Sequence, residues 1–198
     1  MKGEKGERRK QELLKIAYRM FIQKGYEETS IDEIIAEAHI AKGTYYYHFP
    51  SKEATLEEVI NMMISEEVQR AKAMLSAPIP VPQKLAGVIA SLRPEQGESN
   101  IASALNQKEN IIIHEKISRR IVDEAVPLLA EIVSEGIRQG MFICDHIEER
   151  VRMVLVMSQH LFDNGKFSEG DIEVFIDVVE KTLGAKPDTL GFIRGLIN

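Results

Sequence analysis

The chain has 198 residues, 44% hydrophobic and 28% charged, with a formal net charge of −6; this is the balance of a folded globular protein and argues against a disordered one. No apolar run approaches the roughly 20 residues of a membrane span, and Met1-Lys2-Gly3-Glu4-Lys5 lacks the apolar stretch of a signal peptide, so a cytoplasmic protein is expected. The single cysteine, Cys144, excludes an internal disulfide and a cysteine-rich metal site, and with no basic neighbour in sequence its expected role is packing.

Met1 to Glu7 is charged, contains glycine and is expected to fray. From Arg8 onward Leu13, Leu14, Ala17, Tyr18 and Phe21 recur at helical spacing, and Gly25 supplies a left-handed stop. This first helix is expected to bury Ile34, Ile35, Ile40 and Phe49 and so fix the angle of the short helices that follow. Ser30 with Glu33 has the form of a capping box, so a two-turn helix carrying Ile31, Ile34, Ile35 and Ala38 should start there. His39-Ile40-Ala41 interrupts it. A second short helix opens at Lys42-Gly43, where the missing Cβ lets the backbone approach something outside the protein. Its exposed face carries Lys42, Thr44, Tyr46, Tyr47 and His48. Successive helical residues point about 100° apart, so Tyr45, Tyr46 and Tyr47 cannot all face one core. A cation, a hydroxyl, phenols and an imidazole suit a phosphate backbone and a groove. A helix this short must be clamped by neighbours, as the second helix of a helix-turn-helix is. The residues point to DNA recognition, against the plainer reading of three aromatics as the core of a small lobe and His48 as a structural histidine.

Ser51 is read as the N-cap of a helix of about six turns, with Leu56, Val59, Ile60, Met63, Ala71 and Leu75 on its stripe and Glu67 as a charged interruption. It would link the DNA-facing lobe mechanically to the rest of the chain, and Pro78, Pro80 and Pro82 end it. Gln83 to Leu92 reads as a short helix, Arg93 to Ser99 as a polar loop and Asn100 to Gln107 as a further short helix. A long pattern runs from about Ile111 to Gln139, with Pro127 expected to kink or divide it. After the turn at Gly140-Met141-Phe142, Ile147, Val151, Val154, Leu155, Ser158, Leu161 and Phe162 fit one helix. Ile172, Phe175, Ile176, Val179 and Leu183 fit another beyond Asn164-Gly165. Val154, Val156 and Met157 give the first of these a second apolar side, which needs either a second subunit or internal cover. Lys186 to Asn198 packs as a short tail.

Gly25-Tyr26, Thr29-Ser30-Ile31-Asp32-Glu33-Ile34, Ala38 and the run Lys42-Gly43-Thr44-Tyr45-Tyr46-Tyr47-His48-Phe49-Pro50-Ser51-Lys52-Glu53 closely resemble the DNA-binding domain of the tetracycline-repressor (TetR) family of bacterial and archaeal regulators. The likeness covers about the first quarter of the chain and fixes both identity and spacing. It implies that Lys42, Gly43, Thr44, Tyr46, Tyr47, His48 and Lys52 lie at the DNA surface, and that Thr29 or Ser30 touches phosphate. It also implies that Lys2, Lys5, Arg8, Arg9 and Lys10 can add contacts from the amino-terminal arm. Tyr45 departs from the family's smaller residue, which leaves its ring open to core or groove. The same resemblance implies a four-helix dimer interface from the last two long helices, here Val151, Val154, Leu155, Ser158, Phe162, Ile172, Phe175, Ile176 and Val179. It further implies an inducer pocket in the larger domain. For that pocket the chain offers Met62, Met63, Met74, Met153 and Met157 with Asn106, Asn110, His114, Gln159 and His160 as polar anchors, adaptable apolar walls with few polar groups. Each methionine taken singly is as well explained as core.

The reading is an all-α protein: a three-helix helix-turn-helix DNA-binding domain in residues 1–52 and a larger helical ligand-binding and dimerisation domain in 53–198. The function expected is a homodimeric repressor on a palindromic double-stranded DNA operator, released by a small hydrophobic effector. Residues 1–52 carry ten Lys and Arg against eight Asp and Glu, the rest fifteen against twenty-three, so a +2 headpiece stands against a −8 body. The body would be repelled by DNA, leaving the basic end to approach it. No cofactor, metal or membrane is expected, because His114, His146 and His160 lack ligand spacing. No enzyme is expected either, since no nucleophile with a neighbouring base and no glycine-rich phosphate loop is evident. The alternatives are an activator, a DNA-binding protein without effector, and an all-helical small-molecule-binding protein.

Overall fold

Leu13, Leu14, Ala17 and Phe21 share one side of a helix, and in the computed structural model of the protein all four are buried on the inner face of α1 (Lys2–Lys24). The structure describes residues 2–92, 98–162 and 166–197, and among them every regular element is helical. α1 begins well before Arg8: once its apolar core has nucleated the helix, adding residues at the front costs only propagation. It stops at Gly25, whose φ of 97° is left-handed and whose amide donates to the Phe21 carbonyl at 3.0 Å. The side chains of Lys2 and Lys5 lie outside what the structure describes.

The chain divides into two compact units, residues 1–65 with 94–117 and residues 66–93 with 118–198. These compact units differ from the division expected after Lys52 in two ways. The first turns of α4 (Lys52–Leu75) belong to the first unit, where Leu56, Val59 and Ile60 are buried. α6 (Ser99–Leu105), remote in sequence, belongs there too. Asn100 donates its amide to the Ile22 carbonyl at 2.9 Å and the Tyr18 hydroxyl donates to the Glu98 carboxylate at 2.7 Å, so α6 is held on α1. No local pattern announces such a pairing, because it joins residues about eighty positions apart.

In the second unit, α5 (Val81–Ser91) buries Val81, Leu85 and Val88, and α7 (Ile111–Arg138), which begins in the first unit, buries Ala125, Val126, Ile132 and Val133. α7 runs through Pro127 undivided. That proline lies on the exposed face, where the carbonyl it leaves without a helical donor reaches water. Gly140, at φ 74°, ends the helix, and Phe142 folds back onto Gly136, where a Cβ would stand 2.4 Å from its ring. α8 (Ile147–Phe162) and α9 (Glu169–Leu183) follow, the latter opened by a second capping box, Ser168 with Asp171. α9 stops at Gly184, φ 64°, with the Ile143 carbonyl where a Cβ would need to be. A 3₁₀ turn, Gly191–Ile193, and α10 (Arg194–Ile197) complete the unit. Most of the polar loop expected at Arg93 to Ser99, and the Asn164-Gly165 junction, lie outside the described residues. Among the described residues no helix is long and apolar enough to cross a membrane.

Candidate nucleic-acid interface

Side-chain hydrogen bonds hold the short helices α2 (Ile31–Glu37) and α3 (Lys42–His48) in place. Ser30 caps α2: its hydroxyl accepts from the Glu33 amide at 3.2 Å while the Glu33 carboxylate accepts from the Ser30 amide at 2.8 Å. Lys24, at the end of α1, also donates to Glu33. That hydrogen bond first, and those from Ser30 second, hold the Glu33 carboxyl down at about 2. The turn between the helices passes through His39 at φ 52°, a left-handed residue without a glycine's freedom. Tyr45 then locks α3 to α4. It is fully buried and its hydroxyl shares a 2.5 Å hydrogen bond with Thr55, whose own hydroxyl donates to the Ser51 carbonyl at 3.1 Å. The departure from the family's smaller residue is thus resolved inward, with Phe49 packed against the same ring at 5.6 Å.

With Tyr45 turned inward, the opposite side of α3 faces out. Tyr47 is 82% exposed and Tyr46 43%, and open space surrounds Gly43. Thr44 and His48 are half-buried at the margin, His48 lying edge-on to Tyr47 at 5.0 Å. Lys42 is exposed and donates to Asp32 of α2 at 3.1 Å, a bond that raises its pKa. Ser30 is exposed at the start of α2. Lys52 sits apart from these: its ammonium donates to the Glu27 carbonyl at 3.1 Å and lies 4.3 Å over the Tyr26 ring. Thr29 requires a correction to the expected set. It is buried, its hydroxyl donating to the Gly25 carbonyl at 2.7 Å, so the side chain serves the turn after α1 and Ser30 remains the exposed hydroxyl of the pair.

The expected effector residues are not brought together within one unit. Met62, Met63, Asn106, Asn110 and His114 fall in the first unit, Met157 and His160 in the second. Met63 is core, and Asn110 is buried with its amide donating to the Ala104 carbonyl at 2.8 Å. Met157 and His160 line a shallow depression on the outer side of α8 with Met153 and Val156. The expected dimer residues divide between two settings in the single chain. Val151, Ile172, Phe175, Ile176 and Val179 are buried within the second unit. Val154, Leu155, Ser158 and Phe162, with Phe175 and Val179, line a cavity of about 350 Å³ bounded by α5, α7, α8, α9 and the carboxy-terminal segment. The exposed apolar residues are instead Met153 at 70% and Val156 at 53% on α8, and Val174 at 63% on α9. A helix with two apolar stripes gives no sign in its sequence of which stripe turns inward. Two further residues escaped sequence reasoning. Asp32 partners Lys42, and Glu180 is a carboxylate on the buried stripe of α9, its position between Ile176 and Leu183 being the signal available. Among the described residues no cluster of three or more His, Cys, Asp or Glu is placed to hold a metal ion. Burial pushes the Cys144 thiol up, away from reactivity.

Comparison with known proteins gives matches to two family models. One, described as bacterial regulatory proteins, tetR family, matches residues 13–59; the other, described as a tetracyclin repressor-like C-terminal domain, matches residues 95–179. The uncharacterized HTH-type transcriptional regulator YuxN of Bacillus subtilis (strain 168) is 47% identical over 49 residues, which are 25% of this chain and 17% of that protein. The HTH-type transcriptional repressor KstR2 of Mycolicibacterium smegmatis is 25% identical over 146 residues, 68% of this chain and 67% of that one. The alignment thus spans under a fifth of the first relative's length and about two thirds of the second's. Among solved structures, that of RolR in complex with resorcinol superimposes over 99% of this chain and 96% of its own with a TM-score of 0.66 at 16% identity, a likeness of fold.

Proposed function

The chain belongs to the tetR family of bacterial regulatory proteins, which are transcription factors and not enzymes, and on that premise we propose that it is a homodimeric, ligand-responsive transcriptional repressor that binds a palindromic operator. The observation that carries the reading is the division of labour on α3. Tyr45 is spent inside against Thr55, and in consequence Lys42, Gly43, Thr44, Tyr46 and Tyr47 project from one short, rigidly held helix. These residue types can donate to phosphate, pack on a thymine methyl and let the backbone approach a groove. Lys42 exchanges its Asp32 partner for a phosphate on binding, and Ser30 reaches phosphate at the start of α2. Lys52 contributes by holding the Glu27 turn rather than by direct contact.

Two copies pair through the outer sides of α8 and α9, where Met153, Val156 and Val174 are exposed. The twofold then sets two α3 helices into successive major grooves, about one helical turn apart. A small, mostly hydrophobic effector releases the operator by favouring a dimer geometry with the wrong half-site spacing; an effector that bound both geometries equally would shift nothing. Duplexes selected from a randomised library on the full-length chain test the reading. The expected result is an inverted repeat protected on both halves in a footprint. A selection that yields no enriched sequence, or a protein that ignores duplexes at low ionic strength, overturns it.

A further inference from the structure

Among the described residues, none that lines the cavity of the second unit is ionisable. α5 contributes Leu85 and Ile89, α7 Leu129, and the carboxy-terminal segment closes one side with Leu190, Phe192 and Leu196. Its volume of about 350 Å³ is within the range of small-molecule sites, roughly 300–1,000 Å³. The closing segment is tied down on α9 by polar bonds. The buried Glu180 carboxylate accepts from the amides of Asp188 at 3.0 Å and Leu190 at 2.8 Å. Arg194 forks onto Glu173 at 2.5 and 2.8 Å. The wall is therefore in place before any ligand arrives, and little ordering remains to oppose binding.

Two polar side chains of the described residues reach the cavity, and the Ser158 hydroxyl proton and one of the two Gln159 amide protons are already committed. The Ser158 hydroxyl donates to the Leu155 carbonyl at 2.8 Å, and the Gln159 amide nitrogen donates to the Ser118 carbonyl at 3.1 Å. Ser158 can still offer oxygen lone pairs, and Gln159 its oxygen and one N–H, so a hydroxyl, which both donates and accepts, can use both side chains. An ion drawn into this half-open, apolar cavity would lose part of its hydration without gaining a counter-charge. We propose that this cavity is the effector site and that its ligand class is neutral, largely hydrocarbon molecules carrying a hydroxyl, whose proton is accepted by Ser158 or Gln159. The proposal rests on the effector-responsive reading but places its site away from Met62, Met63, Asn106, Asn110 and His114, and it excludes carboxylates.

The chain has no tryptophan, so a neutral fluorescent reporter, N-phenyl-1-naphthylamine, is titrated into the full-length protein without DNA. Saturable binding at one site per chain is expected. 1-Decanol displaces the reporter at a concentration at least ~10-fold lower than decanoate at pH 8, the factor that a 1.4 kcal/mol desolvation difference gives. Methyl decanoate, which only accepts, displaces less well than the alcohol. Ser158→Phe and Ile89→Phe fill the cavity from two helices and abolish reporter binding, and if one of them fails to fold by circular dichroism the other decides. Ile143→Ser, which removes an exposed apolar side chain outside the cavity, leaves binding unchanged. Failure of the reporter to saturate, decanoate as good as decanol, methyl decanoate as good as decanol, or binding that survives the folded filling variant overturns the assignment. Decanol that binds as expected yet leaves the protein on its selected duplex would overturn the ligand-responsive reading while the site stands.

Discussion

Tyr45, Tyr46 and Tyr47 are consecutive identical residues that serve three different ends. Tyr45 is buried structure, Tyr46 is half engaged through an edge-on contact with Tyr45 at 5.5 Å, and Tyr47 is 82% exposed. Tyr45→Phe keeps the ring and costs about 0.5–1.5 kcal/mol in denaturant unfolding, since Thr55 retains the Ser51 carbonyl. Tyr47→Ala should move the unfolding midpoint by less than about 0.5 kcal/mol while weakening duplex binding about tenfold or more. A gel-shift titration unaffected by it would remove Tyr47 from the contact set. At Gly184 the left-handed backbone and the Ile143 carbonyl, 2.1 Å from an added Cβ, act together. Gly184→Ala should cost about 2 kcal/mol or more, read from the same unfolding curves. Glu33 gives a pH dependence. Its folded pKa, about 2, lies below the ordinary 4.5, so it stabilises the lobe fully above pH 4.5 and that contribution is lost as pH falls toward 2. Glu33→Gln keeps an acceptor without the charge. It should melt below the parent at pH 7, and the gap should narrow by about pH 3.

The helices of the amino-terminal lobe were legible because each is announced by chemistry within a few residues: the Ser30 and Glu33 box, the Gly25 stop, the Lys42-Gly43 opening. The tyrosine run was legible only as a constraint, that all three could not face one core, and the Thr55 partner decided which faces in. α8 marks the opposite case. Val151, Val154, Leu155 and Phe162 make one stripe and Met153, Val156 and Met157 another, and both read as equally apolar. Which stripe is internal depends on α9 and the carboxy-terminal segment, whose approach no pattern on α8 encodes. Thr29 fails for a similar reason, since a hydroxyl at a turn serves solvent or backbone equally well until the turn has formed. Dimerisation through the outer stripe makes a specific claim: Met153→Glu with Val156→Glu should yield a folded monomer in analytical ultracentrifugation. A dimer that persists in that variant would return the interface to another surface.

Residues 1–52 carry +2 and residues 53–198 −8, and α4 runs as one helix from the first compact unit into the second. α4 is accordingly the proposed route by which an event in the cavity reaches α3. The charge division predicts a single productive approach to DNA, basic end first. It also makes affinity a matter of counterion release. The most direct test is the salt dependence of duplex binding by the full-length chain, using a selected operator and fluorescence anisotropy. If six to eight phosphates are neutralised by the pair of headpieces, log K against log salt should fall with a slope of roughly −5 to −7, shallower by about 2 for a Lys42→Ala dimer. Absence of binding at low salt, or an affinity indifferent to salt and to Lys42, would contradict the account.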